Sequence, residues 1–117
     1  MYQTEFPDYD DNLTIPHGWV DNSWHNDTCP HLERAVNSTT CVTIWCDYKE
    51  HSKRESGSVH QFTVAIQGDI EQSESGSFDE FNNALLFANA LHDSLATKEE
   101  LQTIEYESAL CRCGETD

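Results

Sequence analysis

Thr40-Cys41-Val42-Thr43-Ile44-Trp45-Cys46-Asp47-Tyr48 is the stretch on which the fold turns. β-Branched and aromatic residues dominate it, and they fit a pleated, half-buried surface better than a helix. Val42, Ile44, Cys46 and Tyr48 alternate with Cys41, Thr43, Trp45 and Asp47, which is the period of a strand. Both sets carry apolar side chains, so one face belongs to the core and the other is partly covered.

Working downstream, residues 49–58 (KEHSKRESGS) are polar and end in Gly and Ser, which predicts an exposed hairpin loop. A second strand is expected over 59–67, with Phe62, Val64 and Ile66 on one face. Gly68-Asp69 predicts a tight turn, and a third, weaker strand follows through Ile70 and Glu71. Ser77-Phe78-Asp79-Glu80 then reads as a capping box, with its two acids suited to the positive end of a helix dipole. Phe81, Ala84, Leu85, Ala88, Leu91 and Leu95 recur at helical spacing, which predicts a helix over about 78–95. Leu86 and Phe87 widen its apolar face. Thr97 with Glu100 offers a second capping box for a short turn. Ile104, Tyr106, Ser108 and Leu110 alternate with polar residues and favour a last strand, and the tail 111–117 reads as frayed.

Working upstream, residues 1–38 show no clear period and are punctuated by Pro7, Pro16, Gly18 and Pro30, so they read mostly as loop. A helical turn around His31 to Val36 is the one regular element they could hold. Phe6, Tyr9, Ile15, Trp19, Val20 and Trp24 supply apolar anchors that lay this segment over a core. The expected class is α+β: a small antiparallel sheet of three to four strands with one main helix packed on one face. A single domain spanning 1–117 is expected, with 1–38 packed on a core built from 40–110, because 117 residues are too few for two independent cores.

Hydrophobic residues make up 37% of the chain and charged residues 24%, so the anomaly lies in the sign of the charge. Asp and Glu total 22 against 6 Lys and Arg, a formal net charge of −16. Such a surface repels nucleic acid and anionic membranes, so neither is an expected partner and a basic protein surface is. No apolar run approaches the roughly 18 residues that a span requires. The acidic start MYQTEFPDYDDN lacks the basic and apolar regions of a signal peptide, so a cytoplasmic location is expected. On that reading the sequons at Asn12, Asn26 and Asn37 are chance products of composition. The five cysteines, Cys29, Cys41, Cys46, Cys111 and Cys113, are an odd number and point to reduced thiols.

Three chemistries can be weighed. His25, Cys29 and His31 are zinc-type ligands within seven residues, but HxxxCxH is an irregular spacing and the only other thiol pair is a CxC near the end. They are the metal candidates, and against them stand a small buried cysteine and two loop histidines. Thiol catalysis needs an electropositive setting, which a chain at −16 does not supply. Paired carboxylates are too numerous to single one pair out, and no phosphate-binding loop, dinucleotide motif or nucleophile elbow occurs. The expectation is a protein without catalytic activity or cofactor.

What remains is the acidity itself. The candidate partner-binding residues are Asp8, Asp10, Asp11 and Asp21 in the N-terminal segment, with Glu71, Glu74, Asp79 and Glu80 around the third strand and helix start. Carboxylates spread over a folded surface can imitate duplex phosphates and meet the same Lys and Arg. Tyr2, Phe6, Tyr9, Trp19 and Trp24 are interleaved as interface anchors. The alternatives are a solvated acidic surface kept for solubility, adaptation to high salt, or a small zinc-binding interaction module.

The segment from Ile15 to Pro30, with GWVDNSWHNDTCP at its centre, followed by the strand ending Trp45-Cys46-Asp47-Tyr48, resembles small proteins of phages and mobile elements. In size, acidity and single-domain make-up the chain also resembles phage inhibitors of host defence, among them anti-CRISPR proteins and other DNA mimics. That resemblance implies an inhibitor that sits on the basic nucleic-acid channel of a host effector complex, in the host cytoplasm, and excludes DNA by competition. It names no activity residue and leaves the oligomeric state open.

Overall fold

The computed structural model describes residues 1–54, 58–68 and 75–110, with only the backbone path described over 98–110. In chain order it contains α1 (Tyr2–Glu5), β1 (Val20–Asp21), β2 (His31–Ala35), β3 (Thr40–Cys46), a turn of 3-10 helix (His51–Lys53), β4 (Phe62–Gly68), β5 (Gly76–Phe78) and α2 (Phe81–Leu110). The five strands form one antiparallel sheet in the order β1-β2-β3-β4-β5. The fold is therefore α+β as expected, with one strand more than the upper expected number.

The strand read from residues 40–48 is the middle of the sheet and ends at Cys46. Its alternation is realised in full: Val42, Ile44 and Cys46 have no exposed surface and face α2. With them lie Leu32 of β2, Phe62 and Val64 of β4, and Ala84, Ala88 and Leu91 of the helix. Each buried aliphatic side chain contributes on the order of 2 kcal/mol of transfer free energy. Alanines at 84 and 88, one turn apart, let the helix backbone approach the strands closely. Gly68 closes β4 with φ +139°, and a Cβ there would collide with the Thr39 carbonyl oxygen, so the β3–β4 register requires glycine.

Several expectations are corrected. Ser77 and Phe78 belong to β5, where Phe62 pairs with Phe78 and Val64 with Gly76, so the capping box does not form and the helix starts at Phe81. Pairing with an already formed sheet edge, together with a Phe78–Phe87 ring contact at 5.4 Å, outweighs the local capping signal. The last expected strand, and the turn at Thr97, are instead helix: α2 runs to Leu110. No Gly or Pro interrupts residues 78–110, and Glu, Leu, Lys, Gln and Ala are strong helix formers. Leu86 does not widen the buried face, being 70% exposed. The helical turn placed at His31 to Val36 is β2, paired residue for residue with β3 from His31–Trp45 to Ala35–Cys41. The second strand begins at Phe62 instead of 59. The predicted strand through Ile70 and Glu71, and the tail 111–117, lie outside the described residues.

The N-terminal segment is mostly loop, as expected, but it also carries α1 and the edge strand β1. Tyr2, Phe6 and Trp19 are buried anchors, whereas Ile15, Val20 and Trp24 are exposed. Trp19 donates its indole N–H to Asn89 Oδ1 at 3.1 Å and so ties the segment to the helix. Because the helix and this segment share one face of the sheet, the opposite face is left with His31, Glu33, Cys41, Thr43, Trp45, Thr63 and Ala65.

Candidate binding surface

Four of the predicted partner-binding acids have structural duties. Asp10 accepts the backbone N–H groups of Lys49 and Glu50 at 2.7 and 2.8 Å, which closes the N-terminal segment over the loop after β3. Asp8 accepts the Tyr48 hydroxyl at 2.8 Å and Asp11 accepts the Gln61 amide at 2.9 Å. Asp21 accepts Tyr2 N–H at 2.7 Å and Ser23 N–H at 3.1 Å. Partial burial pushes the Asp21 carboxyl up, but its bonds from Ser23 and Tyr2 outweigh this and hold it below the usual carboxylate value. Asp10 shows the same balance, with burial overcome by the N–H groups of Lys49 and Glu50. A carboxylate so placed staples backbone while keeping its negative charge.

The structure groups Asp8, Asp10 and Asp11 at one end of β3 and β4, while Asp21 lies on the edge strand β1. Asp79 and Glu80 lie between β5 and α2, at the opposite edge. Four strand spacings separate β1 from β5, about 19 Å at roughly 4.8 Å per strand. One side chain of a partner cannot reach both. Asp79 is exposed and bonds His60 Nδ1 at 2.8 Å, and Glu80 is exposed at the helix start with its carbonyl accepting Ala84 N–H. Glu71 and Glu74 lie outside the described residues.

Cations do little to cancel this charge. Arg54 donates to four backbone carbonyls, those of Tyr48, Lys49, Ser58 and Val59, and so clamps the loop after β3. Arg34 bonds the neutral Asn89 amide oxygen at 2.7 Å. Among the described residues, the carboxylates that meet a basic side chain within 4 Å meet a histidine: Glu5 with His25, Asp27 and Glu33 with His31, Asp79 with His60, Asp93 with His92.

The candidate metal ligands are not brought to one point. His25 is on the surface against Glu5, whose carboxyl its ring and backbone N–H hold below the ordinary value. His31 is buried, bonds Glu33 at 2.7 Å and lies on Trp45 at a ring distance of 4.6 Å. Cys29 is buried, and burial with the Asp47 charge pushes its thiol up to about 12. Among the described residues no cluster of three or more His, Cys, Asp or Glu is arranged to hold a metal ion.

Two clefts flank the acids. One, of about 310 Å³, opens between the N-terminal segment and α2 and is lined by Asp11, Leu13, Phe62, Phe81 and Leu85 among others. The second, of about 230 Å³, lies on the opposite face of the sheet between Thr28, Trp45, Asp47, Ser58 and Thr63, with Cys29 and Gln61 behind. Sequence reading passed over this second group. Its signal was the alternation that puts Trp45 on the non-core face of β3, with Asp47 just beyond the strand's end. Trp24 is 51% exposed and lies against His25 at 4.4 Å, an aromatic presented to solvent beside Glu5. Comparisons with protein-family models, curated proteins and solved structures give no match to this chain. Among the described residues no helix is long and apolar enough to cross a membrane.

Proposed function

We propose that this protein acts without catalysis, as an acidic ligand that occupies a Lys/Arg-rich protein surface and keeps nucleic acid off it. The observation that carries the reading is a net charge of −16 with no Lys or Arg paired to a carboxylate among the described residues. A field left uncancelled in this way attracts a basic surface over roughly one Debye length and speeds encounter with it. Asp79 and Glu80, exposed at one sheet edge, are proposed contacts, and Glu71 and Glu74 are added to them from the sequence. Asp8, Asp10, Asp11 and Asp21 both hold the fold and contribute charge. Trp24 is the proposed aromatic anchor, since hot spots favour large exposed rings set among polar contacts. The likeness to phage inhibitors of host defence points to a nucleic-acid-binding defence complex in the host cytoplasm as the partner, with the protein standing in for DNA.

The test is binding to a basic nucleic-acid-binding complex, measured across a salt series and in competition with duplex DNA. Affinity should fall steeply and linearly in log–log form with salt, and DNA should be displaced. The joint change E71Q/E74Q/D79N/E80Q should weaken binding by at least tenfold at low salt. Undiminished binding by that variant, or affinity indifferent to salt, would refute charge mimicry.

A further inference from the structure

The cleft on the helix-free face of the sheet has a composition that the general acidity does not require. Trp45 is among its lining residues, and the His31 ring lies against the Trp45 indole at 4.6 Å. Asp47 lines it with a carboxylate whose Oδ1 accepts Tyr48 N–H at 2.8 Å, while no donor among the described residues reaches its Oδ2. Thr28, Ser58 and Thr63 add hydroxyls, and Ser58 spends its proton on the His60 carbonyl at 2.9 Å, which leaves its oxygen an acceptor. Behind them Cys29 stays a neutral thiol, so among the described residues Asp47 carries the charge in the cleft. Among the described residues no Lys or Arg lines it.

An aromatic ring, one carboxylate oxygen and a set of hydroxyl acceptors match a planar cation with several donors in a fork. An ammonium is a compact point charge and uses the ring and the fork less well. The volume of about 230 Å³ admits a guanidinium with its methylene stem. We infer that this cleft receives one arginine side chain of the partner, an inference that rests on the basic-surface reading above and names the residue by which that surface is recognised. The guanidinium lies against Trp45, pairs with Asp47 and donates its remaining N–H groups to the Thr28, Ser58 and Thr63 oxygens. The acids at the sheet edges then attract the partner, and the cleft sets its register.

The experiment titrates N-acetyl-arginine-methylamide, and separately its lysine counterpart, into the full chain labelled with nitrogen-15. Saturable shifts of the Trp45 indole N–H and Thr63 amide signals are expected with the arginine compound, and several-fold weaker ones with lysine. Asp47→Asn keeps the acceptor for Tyr48 N–H and should weaken the arginine response by tenfold or more. Thr63→Val, nearly isosteric, should weaken it by two- to fivefold, and Asp93→Asn, exposed on α2, should leave it unchanged. Shifts absent from Trp45 and Thr63, equal for lysine and arginine, or undiminished in both well-folded cleft variants, would overturn the inference. Basic-surface binding that persists with its full salt dependence in Asp47→Asn would sink the cleft alone. Loss of that salt-dependent binding in the edge-acid variant, with arginine still taken up, keeps the two readings apart.

Discussion

Asp21 takes one N–H from Tyr2 and another from Ser23, so a single carboxylate fixes both the start of the chain and the turn after β1. Bonds to a charged acceptor are worth about 1.5–3 kcal/mol each when made to partly buried groups. Asp21→Ala is expected to cost roughly 2 kcal/mol, read as a lowered urea midpoint at unchanged slope. The pH dependence has a definite sign. A carboxyl held below its ordinary value of 3.8 in the folded chain adds stability above that value. That stability is lost as pH falls through the lowered folded value. Asp10 and Glu5 add to the same trend from ordinary values of 3.8 and 4.5. Stability should therefore be flat from neutral pH to about 5 where these groups are concerned, and fall below about 4. Asp21→Asn should flatten that fall in an equilibrium unfolding series, and an unchanged slope would show that Asp21 is not its source.

At the scale of elements, β3 is the part that everything else packs against. Ile44→Ala should cost about 3–4 kcal/mol, because Ile44 is fully buried in the core cluster that includes Ala84 and Ala88, and the sheet cannot collapse into the gap. Ala88→Leu should cost about 1–3 kcal/mol by overpacking the same layer. Either value is measurable by denaturant unfolding, and a loss below about 1 kcal/mol for Ile44→Ala would contradict the central place given to β3. This strand was legible because its alternation and β-branched content agree with its burial. The helix face was legible for the same reason, through Phe81, Ala84, Ala88 and Leu91. The strands β2 and β5 were not. His31-Leu32-Glu33-Arg34-Ala35 has no strand propensity to speak of, and Ser77-Phe78-Asp79-Glu80 has the local chemistry of a helix start; both are strands because a neighbour offers a register. Among the site residues, the acids could be named from composition, but their duties as backbone staples could not, since Asp10 and Lys49 are distant in sequence. The Trp45–Asp47 cleft needed three separate segments to meet.

Over the whole molecule, 22 acids face 6 basic residues, and the two arginines described in detail are bound to neutral oxygens. Self-repulsion therefore opposes folding, and it weakens as the Debye length shrinks from about 30 Å at 0.01 M to about 8 Å at 0.15 M salt. The melting temperature should rise by several degrees over that range in calorimetry, while affinity for a basic partner falls. A melting temperature that drops with salt would show that attractive pairs outweigh repulsion. The strap formed by residues 1–14 adds one more consequence. It crosses the core without joining the sheet, and its polar fastenings are side-chain carboxylates instead of a ladder of backbone bonds. Acid should unfasten the Asp10 and Asp21 anchors, so the strap forms a cooperative opening unit of lower free energy than the sheet. Amide exchange near pH 3 should then proceed in two stages, with Tyr2, Lys49 and Glu50 giving up their protons well before the amides of β3 do. The protein would shed its leading segment and keep its sheet, an order of release written into the placement of its aspartates.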